Sequence, residues 1–195
     1  EQRYVQVLAE KRVDGMILVP ISEHSEHVRA VLARGMPVVI IDRELAGVGC
    51  DTVLVDGWSG ARQAIAHLVE RGHRRIACVT AQLGGRQLSA ERVNGYREGM
   101  RAAGLESEQQ LICLEDPEAT KGYSEMLGGY AAMQELLAQP VLPTAVFITN
   151  DLMAIGAMRA IAERGLRIPN DIAVVGFDNI ALASYTNPPL TTVAQ

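Results

Sequence analysis

Positive charge is in short supply in this sequence: 18 Lys and Arg stand against 23 Asp and Glu, for a net charge of −5. Binding a phosphate backbone needs a surplus of Lys and Arg on one face. Nucleic acid is therefore excluded as a direct partner of this segment, and any DNA contact has to come from elsewhere. Long apolar runs are also missing. None approaches the roughly 18 residues of a membrane span, and Glu1-Gln2-Arg3-Tyr4 lacks the basic-then-apolar shape of a signal peptide. Cysteine is scarce: Cys50, Cys78 and Cys113 are odd in number and form no Cys-x-x-Cys pair. That argues against a disulfide framework or a zinc site and fits a reducing cytoplasm.

The signatures of nucleotide and catalytic sites are lacking too. Gly47-Val48-Gly49 is followed by Cys50-Asp51 rather than by a third glycine opening a helix, so the dinucleotide fingerprint fails. There is no Walker loop, and no Ser or Cys sits in a nucleophile elbow. His24 and His27 stand three residues apart beside Glu23 and Glu26. They fall on the polar side of a helix whose apolar face is Val28, Val31 and Leu32, so a solvated face is expected there rather than a metal. No catalytic residue, cofactor or metal follows from the sequence.

What the sequence does have is an ordinary globular composition, 48% hydrophobic and 21% charged, in a chain of 195 residues. That is enough to bury a real core as one domain or two small ones. Three stretches repeat one pattern, in which an amphipathic helix ends in Arg-Gly and an apolar run follows. They are Arg34-Gly35 before Val38 to Ile41, Arg71-Gly72 before Ile76 to Val79, and Arg164-Gly165 before Ile172 to Val175. A glycine past the last turn can take the left-handed conformation that closes the orphan carbonyls, and the cation complements the helix dipole. Ala61, Ile65, Leu68 and Val69 form one helical apolar stripe. The apolar runs, such as Met16 to Val19 and Ala145 to Ile148, show no alternation, as in parallel strands with helices on both faces.

Strands are expected near 13–19, 36–41, 52–55, 75–80, 110–114, 145–149 and 172–177, and a doubly wound α/β fold follows from their alternation with helices. Gly47 and Gly49 loosen the chain before Thr52, which favours two sheets with a crossover near Asp56. The first element reads as a helix over 2–12, whereas such a sheet normally opens with a strand. A missing upstream portion is therefore expected, and Leu190 to Val193 reads as a strand or crossover with nothing after it.

Ligands of open α/β sheets bind beyond the carboxyl ends of the strands. The polar residues at those ends are Asp42-Arg43, Thr80, Asn150-Asp151 and Asp178-Asn179. Each singly reads first as a helix cap, and Asp151, directly before Leu152-Met153-Ala154, is expected to be only that. As a set, carboxylates and amides together with Arg86 and Arg92, six residues apart in a loop leading into a helix, suit a polyhydroxylated ligand.

The order and spacing of several segments resemble the lactose-repressor (LacI/GalR) family of bacterial regulators. They include Pro37-Val38-Val39-Ile40-Ile41-Asp42-Arg43, Arg71-Gly72-His73-Arg74-Arg75-Ile76-Ala77, Asn150-Asp151-Leu152-Met153-Ala154, Val175-Gly176-Phe177-Asp178-Asn179 and Asn187-Pro188-Pro189-Leu190-Thr191-Thr192. The resemblance implies two Rossmann-like lobes with parallel sheets, of the periplasmic-binding-protein type, with effector in the cleft between them. The lobes would span residues 1–55 and 56–191, with 192–195 crossing back toward the first. It places effector contacts on Asp42, Arg86, Arg92, Asn150, Asp178 and Gln195, and a homodimer interface at Ile155 and Met158. Operator DNA would be read by an N-terminal helix-turn-helix domain not in this chain. The effector is expected to be a sugar or sugar derivative, the compartment the cytoplasm, and catalysis none. A departure from the family pattern is the stretch Glu115 to Gly129, which reads as an extended turn able to bring Tyr123 or Ser124 into the site. The competing reading is a periplasmic sugar-binding protein of the same fold, and a Rossmann-type enzyme stands third.

Overall fold

The computed structural model describes residues 1–11, 13–20, 24–42, 44–81, 87–105, 111–114 and 123–195. It divides into two compact units, Glu1–Val55 and, excepting 85–88, Asp56–Gln195.

The first unit opens with α1 (Gln2–Glu10), followed by β1 (Met16–Leu18), α2 (Glu26–Leu32), β2 (Val38–Ile41) and β3 (Asp51–Val53). The strands form a parallel sheet in the order β1-β2-β3, with Met16 opposite Val38 and Ile41 opposite Val53. Val5, Val28 and Val31 of the helices pack on Met16, Val38 and Ile40. The alternate residues Ile17 and Val53 are exposed. Among the described residues of this unit, then, the strands alternate as a half-covered sheet does, although their sequence reads as continuously apolar. His27 is not solvated either, because its Nε2 meets Glu1 Oε1 at 2.5 Å. Among the described residues no cluster of His, Cys, Asp and Glu could hold a metal ion.

The second unit contains α3 (Gly57–Glu70), β4 (Ile76–Ala81), α4 (Gln87–Ala102), β5 (Leu111–Leu114), α5 (Tyr123–Leu137), β6 (Ala145–Ile148), α6 (Asp151–Glu163), β7 (Ala173–Asp178), a 3-10 turn (Ala181–Tyr185) and β8 (Thr191–Ala194). Its five strands are all parallel, in the order β5-β4-β6-β7-β8. From β4 the chain goes outward to β5 on one side and returns to β6 on the other, so the switch in strand order lies between β4 and β6. Right-handed crossovers then place α4 on the opposite face from α5 and α6. On the α5/α6 face, Ala77, Val79, Val146, Ile148 and Val174 are covered by Met133, Leu136, Met153, Ala157 and Ile161.

Helix ends form as their residues dictate. Gly35, Gly72 and Gly165 all have positive φ (80°, 91° and 77°), and Gly35 N–H and Met36 N–H close back onto Leu32 and Val31 carbonyls. Gly104 ends α4 in the same way without an adjacent arginine.

Three boundaries differ from the sequence expectation. Helix α4 already begins at Gln87, which puts Arg92 on the helix rather than in the loop before it. Residues 123–129 are the first turns of α5 rather than part of an extended turn, and Gly129 there allows the close approach of α5 to Met153 of α6. Residues 115–122 lie outside the described residues. Finally, residues 191–194 do not leave the second unit: they form β8, with Thr191 opposite Val175 and Ala194 opposite Asp178.

Candidate effector site at the carboxyl edge of the second sheet

Four side chains foreseen in the sequence reach the carboxyl edge of the second sheet. Arg92 comes from α4, Asn150 follows β6, Asp178 ends β7 and Gln195 follows β8. Arg92 is the centre of the group and is only 6% exposed. Its Nη1 donates to the Thr149 carbonyl at 2.5 Å and to Asp178 Oδ1 at 3.0 Å. Its Cζ lies 3.9 Å from the centroid of the Phe177 ring, a cation over a π face. Gln195 Nε2 also donates to Asp178 Oδ1. Thr149 and Thr80, at the ends of β6 and β4, join through their hydroxyls at 3.3 Å. The cluster therefore spans the carboxyl ends of β6, β7 and β8, beside the switch in strand order between β4 and β6.

Two features leave this cluster chemically unfinished. Arg92 Nε is buried with no hydrogen-bond partner among the described residues. A buried donor left so is destabilising by about 1–3 kcal/mol, and a ligand acceptor would relieve it. Burial also pushes the Asp178 carboxyl up to about 6, with the nearby Asp151 adding to the rise; Arg92 and the Gln195 bond offset only part of it. The backbone is held unusually here as well, with φ of 115° at Asp178 and 55° at Asn179. Non-glycine residues in that region mark strain retained at a functional position.

The capping role read for Asp151 belongs to Asn150. Asn150 is the N-cap of α6, its Oδ1 accepting from Met153 N–H at 2.8 Å. Only its Nδ2 remains to donate to a ligand. Asp151, expected to be the cap, is fully buried. Its Oδ1 accepts from the Thr192 hydroxyl at 2.6 Å and its Oδ2 from Ile180 N–H at 2.9 Å. Burial raises the Asp151 carboxyl as well, against these hydrogen bonds. The sequence did carry one signal for this contact. Gly176 interrupts the apolar run of β7, and a Cβ there would stand 2.2 Å from Asp151 Oδ1.

Asp42 lies in the first unit at the end of β2, with φ of 72° and its N–H donating to Val53 carbonyl. Arg86 lies outside the described residues. Of the two residues expected at a dimer interface, Ile155 is half-buried, while Met158 is packed into the core of the second unit beside Ile161 and Val174. As an interface residue Met158 is a correction: its turn of α6 faces the sheet. No helix among the described residues is long and apolar enough to cross a membrane.

A model of the periplasmic binding protein-like domain matches residues 65–195. The HTH-type transcriptional repressor PurR of Erwinia tasmaniensis is 41% identical over the whole of this chain, which covers 55% of that protein. A LacI-family transcriptional regulator from Enterococcus faecium, solved with bound ribose, is 30% identical with a TM-score of 0.84. The match covers 99% of this chain and 69% of that one. The chain belongs to the LacI/GalR family. A LacI-family regulatory protein from Chloroflexus aggregans matches this LacI/GalR chain at 34% identity and a TM-score of 0.83, over 99% of this chain and 66% of that one. The chain spans about half the length of the curated relatives it matches. Those relatives are transcriptional repressors.

Proposed function

We propose that this LacI/GalR chain is the effector-sensing core of a cytoplasmic transcriptional regulator and that its effector is a sugar or sugar derivative. The observation that carries the reading is the Arg92 cluster beside the β4/β6 switch point, with a buried unpaired donor on Arg92 and a carboxyl on Asp178 raised to about 6. A polyhydroxylated ligand supplies both needs. Its oxygens accept from guanidinium and amide groups, and its hydroxyls donate to the carboxylate. Arg92, Asn150, Asp178 and Gln195 are the proposed contacts of the second unit, Asp42 that of the first, with Arg86 added from the resemblance. The relative from Enterococcus faecium was solved with ribose, which fits this class.

Signalling follows from differential affinity. An effector that binds one conformation better shifts the equilibrium toward it, and that shift alters affinity for operator DNA, read by a domain outside these 195 residues. A homodimer with Ile155 at its interface completes the proposal. The chain carries out no turnover in this reading.

A thermal-shift screen against a carbohydrate panel that includes ribose identifies the ligand, and calorimetry on Asp178→Ala and Arg92→Ala tests the site. Both variants are expected to lose binding while keeping the circular dichroism of the folded protein. Unchanged affinity in both would place the site elsewhere.

A further inference from the structure

The most completely buried charged side chain among the described residues of the second unit makes no contact that the effector reading uses. Asp151 is 0% exposed at the start of α6, yet it does not cap that helix, because Asn150 does. Its two oxygens reach instead to two other elements. Oδ1 takes the Thr192 hydroxyl of β8, and Oδ2 takes Ile180 N–H in the turn after β7. Thr192 Oγ1 in turn accepts from Asn179 N–H at 3.3 Å. The path for this carboxylate is cleared by Gly176. The backbone N–H groups of Asn179 and Phe177 also bond to this carboxylate, so one buried charge gathers donors from β8, from the end of β7 and from the turn after it and fixes their spacing.

We propose that Asp151 is a positioning residue, which ties β8 and the turn after β7 to α6 and so holds Gln195 and Asp178 in the geometry that receives the effector. The inference rests on the proposed function for what is positioned, and on the structure alone for the tie. Asp178 lies two residues before Ile180, and Gln195 three residues after Thr192, so both tethered segments lead directly into the site. The positive φ values of Asp178 and Asn179 are maintained between these anchors. The groups facing Asp178 are Arg92 from α4, Asp151 from α6 and Gln195 after β8. Of these, Asp151 is the one whose charge opposes ionisation of Asp178.

The test reads the Asp178 carboxyl itself, by carbon-detected NMR titration of ligand-free protein. In Asp151→Asn the Asp178 midpoint is expected to move down from about 6, because a repelling charge is removed while the fold is kept. In Thr192→Val, a milder change that retains Asp151, the midpoint is expected to rise as β8 loosens and Gln195 loses its hold, and Thr192→Ser is expected to restore it. An unmoved midpoint in Thr192→Val overturns the proposal, because the Asp151→Asn shift follows from charge removal alone. If Asp151→Asn does not fold, the Thr192 pair decides alone. With ribose, or whichever sugar of the panel binds the wild-type protein, Asp151→Asn and Thr192→Val are expected to lose about tenfold in affinity, or about 1.4 kcal/mol. Wild-type affinity in both also overturns it. If no sugar binds the wild-type protein but the midpoints move as stated, the proposed function fails and the positioning role stands.

Discussion

Replacing Asp178 by asparagine should make the protein more stable at neutral pH while abolishing effector binding. The reasoning starts from the carboxyl, whose midpoint is about 6 in the folded chain against an ordinary value of 3.8. Between those two values the folded state holds a proton that the unfolded state has released. Stability from this group is therefore fully present below about 3.8 and is lost as pH rises through about 6. The gap corresponds to about 3 kcal/mol by pH 7. Asparagine mimics the protonated acid, keeps an oxygen for Arg92 and Gln195, and tolerates positive φ better than most residues. The expected gain at pH 7 is thus on the order of 1–3 kcal/mol, shrinking to near zero at pH 4. Urea unfolding of both proteins at several pH values from 4 to 8 reads this directly. A stability difference that is the same at every pH, or an asparagine variant less stable than wild type at pH 7, would refute the account of Asp178 as a buried, penalised carboxylate.

Effector affinity should itself depend on pH, since a hydroxyl-donating ligand binds the ionised Asp178. Calorimetric titration is expected to show affinity falling roughly tenfold per pH unit below about 6, and a flat profile from pH 4.5 to 7 counts against it. Gly156→Ala should destabilise by about 3 kcal/mol in a denaturant melt, because its new Cβ would stand 1.9 Å from the Met126 carbonyl of α5. Asn150→Ala removes the α6 cap and should lower stability by about 1 kcal/mol; an unchanged unfolding midpoint would mean another group caps the helix. Met158→Ala should destabilise by about 2–5 kcal/mol, as expected of a core residue; a neutral effect would return Met158 to the surface.

Much of the second unit was legible in the sequence because its signals are local. Arg71-Gly72 and Arg164-Gly165 end helices for reasons contained within a few residues, and both glycines are left-handed, as is Gly35 in the first unit. The strands of this sheet fall within a few residues of their expected positions, since an uninterrupted apolar run has few alternatives to a buried parallel strand. The same criterion did less well in the first unit, where Ile17 is as apolar as Met16 and Leu18 and yet exposed. Burial depends on what packs against a strand, and composition does not carry that.

At the carboxyl edge, residue types fixed which groups were available, and strand order fixed which of them meet. Asp178 and Arg92 were identifiable as polar residues near strand ends, and the family pattern singled them out. Their pairing across Phe177, the hydrogen bond of Arg92 to Thr149 and the rise of the Asp178 carboxyl to about 6 arise only when β7 is set beside β6 and α4 is laid over both. That Asn150 rather than Asp151 caps α6 has the same origin. By sequence either residue can cap α6, and the choice is made by Gly176 and Thr192, distant in sequence, which open a buried place for one carboxylate and supply its donor. The sequence by itself determined the fold class and the chemical inventory of the site, because these follow from local propensity and residue type. The tertiary structure decided which carboxylate stands at the carboxyl edge and which is buried behind it, because that depends on strand order.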